Sequence, residues 1–300
     1  MAKSAVLLAH ALAFCGVGAR AVPYRPVVMM HGMNEDATHL QRNMDALRAT
    51  YPGIYVTSLA VYEGRRSMIH HMEPQLEAVL AAIKADGNLS KGFNFYGESQ
   101  GALLARAYVT VANDPPVHNL IALNGPQAGI GECPKVEFPG VKQLCGDLST
   151  DLRIYHWPFC AFCSYWRGKN EAMYLQNSGW VADINNDRTI NQTRRQNMVS
   201  LNQYMATVAL QDEVVQPSYS AWHTYWYWGD DSRSKIMPLY EIEGYKSDAL
   251  GLRSLAERGA LILNSFDGRH LGYTMDWWNE NVMPMIDNRL SEMPAPSLVV

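Results

Sequence analysis

Charge is scarce in this chain. Only 18% of its 300 residues are Asp, Glu, Lys or Arg, and the formal net charge is -4. No cluster of lysine and arginine stands out, which excludes the electrostatic footprint of a nucleic-acid binder. Internal repeats and low-complexity tracts are absent, so solenoids and disordered linkers are excluded as well. Beyond the N-terminus no apolar run approaches the ~20 residues of a membrane span. Cysteine is sparse too, at five residues. What remains is a 48% hydrophobic chain with a mean hydropathy of -0.19, enough to build one large globular unit or two small ones with a real core.

The first residues read as an export signal. Lys3 gives the positive start, "SAVLLAHALAFCGVG" the apolar stretch, and Ala19-Arg20-Ala21 a small-residue cleavage site. Residues 1–21 are therefore expected to be removed, leaving a chain with no stable membrane insertion. Cys15 goes with the leader. Cys133, Cys145, Cys160 and Cys163 remain, an even number in an exported chain, which favours disulfides. Three pairings are possible, of which Cys133–Cys145 with Cys160–Cys163 closes the shortest loops. A zinc site would want a second close cysteine pair beside "CAFC", and none is present. Asn88-Leu89-Ser90 and Asn191-Gln192-Thr193 are N-glycosylation triplets on expected surface turns.

The pattern along the chain is that of an α/β protein with a mostly parallel central sheet. "RPVVMMHGM" reads as a buried strand, and "MIHHMEPQLEAVLAAIKAD" contains a helix that Gly87 stops. "GFNFYG" is a strand, "QGALLARAYVTVAN" a helix, and Leu120–Leu123 a further strand. From about Gly125 to Ala206 the alternation ceases, and "INQTRRQNMVSLNQYMATV" looks helical. Strands then return in "ATVALQDEVVQP" and "GALILNSFDGRH", with "TMDWWNENVMPMIDNRL" as a closing helix. The expected organisation is a core of 22–124 and 207–290, an insertion at 125–206 and a loose tail at 291–300.

Gly97-Glu98-Ser99-Gln100-Gly101 fits G-x-S-x-G, between a strand and a helix as that motif requires. A strand that turns at once into a helix strains the turn residue, and side chains two positions away on either side collide with backbone. Ser99 is then the candidate nucleophile. A hydroxyl needs a base, and the base an orienting carboxylate, in the chain order serine, acid, histidine. His270, after the strong strand "ALILNSF", is the candidate base. His223, in "WHTYWYW", reads as structural. Asp212, directly after a strand, is the candidate acid, with Glu213 its nearest rival. The oxyanion donors are expected to be the backbone N–H groups of Gln100 and Met33.

With these residues placed, the chain resembles the palmitoyl-protein thioesterase family of α/β-hydrolases. "VVMMHGMNED", "YGESQGALLARAY", "NGPQAGIGECP", "GWVADINNDRTINQT", "LQDEVVQPSYSAWHTYW" and "FDGRHLGYTMDWW" carry the resemblance, in order, over nearly all of the chain after the leader. The resemblance implies a serine hydrolase that needs no cofactor and no metal, with catalytic Ser99, Asp212 and His270, and oxyanion donors at Met33 and Gln100. It further implies a Cys133–Cys145 disulfide, a glycan at Asn191, and residence in the lysosome or along the secretory route. The implied substrate is an S-acylated protein or peptide, or an acyl-CoA. Oxygen-ester hydrolysis by the same triad is the rival activity, and an inactive lipid-binding protein the rival from another class. Glu98 departs from the family's commoner uncharged residue. The aromatic stretch Tyr155–Trp166 is expected to form an acyl-binding groove.

Overall fold

A computed structural model describes residues 24–133, 152–157, 159–230 and 232–286. The leader, the tail and Cys145 fall outside them.

Six strands form one sheet in which every pairing is parallel: β1 (Val27–Met30), β2 (Val56–Ser58), β3 (Phe93–Glu98), β4 (Val117–Leu123), β5 (Gln203–Ala209) and, after a two-stranded hairpin of β6 (Tyr225–Trp226) and β7 (Ile236–Met237), β8 (Leu261–Phe266). The order across the sheet is β2-β1-β3-β4-β5-β8. A parallel sheet is covered on both faces, and its inner strands read as continuous apolar runs. β1 and β3 are buried at every position.

The helices α1 (Gln41–Thr50), α2 (Arg66–Ile69), α3 (Met72–Ala85) and α4 (Gln100–Val111) alternate with the first strands. One core packs Phe93, Phe95 and Tyr108 against Leu76, Val79 and Ile83 of α3. On the other face Tyr96, Ile121 and Met205 meet Leu47 of α1 and Trp278 of the C-terminal helix Met275–Asn281. α4 is buried from Gln100 to Thr110, so the helix that follows Ser99 lies inside the molecule. β2 is only three residues long, and the sequence pattern above places neither it nor α1.

Two expectations are corrected. The helical-looking stretch from Ile190 is a helix only over Gln192–Val199, and β5 starts at Gln203. Its Tyr, Thr and Val favour a pleated buried surface, and pairing with β4 overrides the helical spacing. The Tyr155–Trp166 stretch is chiefly core: Tyr155, Phe162, Tyr165 and Trp166 are buried in the same cluster as α3 and α4. It contributes to a cavity of about 440 Å³ only through Tyr155 and Trp166, beside Ile154 and Met173.

Candidate active site

Ser99 stands between β3 and α4 with φ 52° and ψ -125°. That left-handed φ is strained for a serine. Its neighbours explain how the turn is tolerated. A Cβ on Gly97 would come within 2.7 Å of the Ala102 backbone, and one on Gly101 would strike the carbonyl oxygens of His31 and Met30. The two glycines let β3, α4 and the end of β1 close on one another. The N–H of Ser99 donates to Leu123 O at 2.8 Å, tying the elbow to β4.

His270 lies beyond the end of β8, and its Nε2 is 2.9 Å from Ser99 Oγ. Its Nδ1 is 2.7 Å from Asp212 Oδ2. Asp212 follows β5. Its Oδ1 accepts the N–H groups of Val214 and Val215 at 2.8 and 2.9 Å, which fixes the carboxylate's rotation. The Asp212 side chain is 1% exposed and that of His270 11%. The loops bearing them are joined by the Gln211 N–H, which donates to Gly268 O. Glu213 faces elsewhere: it pairs with Arg269 at 2.8 Å and accepts the His270 backbone N–H. Asp267 accepts from the Gln211 side chain. The three side chains thus form one line from carboxylate to imidazole to hydroxyl. Such a line can withdraw the hydroxyl proton as the oxygen attacks and return it to a leaving group.

The turn after β1 closes the other side. A Cβ on Gly32 would sit 3.1 Å from Ser99 Cβ, so the Gly32–Met33 peptide abuts the nucleophile position. Gly32 N–H donates to Glu35 at 2.7 Å. Gln100, the first residue of α4, is buried, and its side chain is held from three sides. Its Nε2 donates to Ser67 O and Gln75 Oε1, and its Oε1 accepts the Tyr165 hydroxyl. His31 is buried beside this turn, and desolvation lowers its pKa.

A polar network around Glu98 was not foreseen. Glu98 is 1% exposed, and its Oε1 accepts the hydroxyls of Tyr96 and Tyr273. Tyr273 stands three residues beyond His270 and also accepts from Asn43, while the Trp278 indole donates to Tyr96. Glu98, beside the nucleophile, therefore grips the segment that carries the histidine. Nor was Arg106 foreseen. Wholly buried in α4, it donates to Gln127 and Asn185. It thereby fastens α4 to the segment after β4. Arg106 could be found from sequence only as a lone cation in an otherwise apolar helix.

His223 is buried, 2.8 Å from the Tyr204 hydroxyl, and desolvation holds its pKa well below the ordinary value. Cys160 and Cys163 form a buried disulfide. The Cys133–Cys145 pairing involves a residue outside those described. Asn88 and Asn191 are both exposed, and Asn191 caps the helix Gln192–Val199.

The family model described as palmitoyl protein thioesterase matches residues 26–270. The chain belongs to this family. Among curated palmitoyl-protein thioesterases, that numbered 3 from Dictyostelium discoideum is 32% identical over 276 residues, covering 91% of this chain and 93% of its own. That numbered 1 from Caenorhabditis elegans is 32% identical, with 82% and 86% covered. The lysosomal thioesterase PPT2 of Homo sapiens is 25% identical, with 80% and 79% covered. Among solved structures, a monoacylglycerol lipase from Paleococcus ferrophilus has a TM-score of 0.47 at 12% identity, covering 88% of this chain and 96% of that one. The matched region takes in every strand of the sheet.

Proposed function

We propose that this protein hydrolyses long-chain acyl thioesters, removing palmitoyl groups from cysteines of S-acylated proteins or peptides. The observation that carries the reading is the 2.9 and 2.7 Å pair linking Ser99 to His270 and His270 to Asp212, in a chain of the palmitoyl-protein thioesterase family. Ser99 Oγ attacks the thioester carbonyl while His270 Nε2 takes its proton. The tetrahedral oxyanion is received by the N–H groups of Gln100 and Met33. Its collapse breaks the carbon–sulfur bond, and the departing thiolate takes the proton from His270, which returns to the neutral imidazole. Water, deprotonated by His270, then attacks the acyl-serine and frees the fatty acid. Asp212 holds the imidazole in the tautomer that presents a bare Nε2 to the serine.

Protein thioesters are preferred here over acyl-CoA because both relatives at 32% identity are named palmitoyl-protein thioesterases. A route through the secretory pathway to the lysosome fits the leader and the lysosomal relatives. No helix among the described residues is long and apolar enough to cross a membrane.

Hydrolysis of a palmitoyl-cysteine peptide, run beside palmitoyl-CoA and a palmitoyl oxygen ester, tests the proposal. The peptide thioester should be turned over fastest, and Ser99→Ala should lose several orders of magnitude of kcat while remaining folded. Activity of Ser99→Ala within tenfold of the wild type would reject the serine mechanism. Faster turnover of the oxygen ester would move the protein to the esterases.

A further inference from the structure

Beside the serine elbow, two carboxylates and an imidazole converge outside the line from Asp212 to Ser99. Glu35 follows the turn after β1, His39 lies in the short 3-10 turn Ala37–Leu40, and Glu98 ends β3. One ligand atom from each lies within 4.8 Å of the other two. His39 Nε2 is 3.1 Å from Glu35 Oε1 and 3.8 Å from Glu98 Oε2. A tetrahedral zinc ion with bonds of about 2.0–2.1 Å spaces its ligand atoms by about 3.3–3.4 Å. The His39–Glu35 and His39–Glu98 separations differ from that spacing by only tenths of an ångström.

The state of Glu98 points to the same place independently. This carboxylate is 1% exposed, and both of its hydrogen bonds fall on Oε1. Neither the Tyr96 nor the Tyr273 hydroxyl reaches Oε2, which stands 3.8 Å from the His39 imidazole. Oε2 is the oxygen of this carboxylate that faces His39. Glu35 is arranged alike. Its Oε2 accepts the Gly32 N–H, which leaves Oε1 for the cluster. Each carboxylate is thus oriented by a partner on one oxygen and faces His39 with the other, as outer-shell donors orient metal ligands. Arg42, the other cation whose charge acts on Glu98, is stacked over the Tyr273 ring. The His39 side chain is 45% exposed and gives an ion its path in.

We propose that Glu35, His39 and Glu98 form a binding site for one divalent first-row cation, with Zn²⁺ the ion that fits. One imidazole with two carboxylates suits zinc, whereas magnesium and calcium take oxygen ligands throughout. Water from the His39 side completes the coordination. The bound ion would hold the Glu98 end of the elbow to Glu35, and through Glu35 to the Gly32 turn.

Isothermal titration of the metal-free protein with zinc chloride at neutral pH tests this, with His39→Ala and His71→Ala alongside. His39 is exposed, so its replacement leaves the fold and the basal hydrolysis intact. The expected result is one equivalent of zinc in the wild type and in His71→Ala, with affinity lowered at least tenfold in His39→Ala. Glu98→Gln, checked for folding by circular dichroism, should weaken binding similarly. No zinc uptake by the wild type, or the same isotherm in His39→Ala, overturns the proposal. Since binding is read directly, failure here leaves the hydrolytic reading untouched, and a chain inactive on every ester can still pass.

Discussion

At the scale of single residues, two neighbouring acids have different fates. Asp212 meets His270 Nδ1 at 2.7 Å, whereas Glu213 pairs with Arg269. Asp212→Asn keeps the size but removes the charge and favours the wrong imidazole tautomer. Its kcat should fall by about 10³–10⁴-fold, while Glu213→Gln stays within about tenfold of wild type. Steady-state kinetics of the two variants on one thioester decide it, and the reverse ranking would reassign the acid. The residues in this line were legible because the motif fixes the serine and strand ends fix the other two. Glu98 was not, because its partners Tyr96 and Tyr273 lie 2 and 175 positions away. A sequence shows that Glu98 is an acid inside an apolar run, but not which hydroxyls cover it.

At the scale of elements, the Glu98–Tyr273 bond joins the end of β3 to the segment after β8. Tyr96 donates to the same oxygen but belongs to β3 itself. The pair is a built-in control. Tyr273→Phe should lower kcat on the order of tenfold with KM little changed, since a hydrogen bond to a charged group contributes about 1.5–3 kcal/mol. Tyr96→Phe should lower Tm and leave kcat closer to wild type. Equal kcat losses in the two would mean that the network only supports the fold. Elements were readable to different degrees. β1 and β3 are mostly apolar runs with a glycine at or near their end, α3 is stopped by Gly87, and α4 runs to Val111 ahead of Pro115. β2 is only three residues long, and the start of β5 was hidden because Gln203–Ala209 continues the spacing of the preceding helix. In the sequence the aromatic run Tyr155–Trp166 fits a groove and a core alike, and only its burial separates the two.

At the scale of the whole molecule, several histidines are kept neutral by burial. Desolvation, helped by Arg25, pulls His118 down to about 4, and it lowers His31 and His223 as well. A histidine depressed in the folded state binds fewer protons than the same residue in the unfolded chain. Its contribution to stability is therefore intact above the ordinary imidazole value near 6.5 and is lost as pH falls toward 4. The melting temperature should drop across that window, and His118→Gln should flatten the drop. A His118→Gln profile parallel to the wild type would show that His118 titrates normally.

The strand order has a further consequence, for the chain during its synthesis. β8 is the last strand made and an edge of the sheet. It docks on β5, and only then does the segment after it bring His270 to Ser99 from 171 positions away. Until that strand has left the ribosome, the serine sits in a finished elbow with no base beside it. A nascent chain in which His270 has not yet emerged therefore lacks its base and has no means of attacking an acyl group.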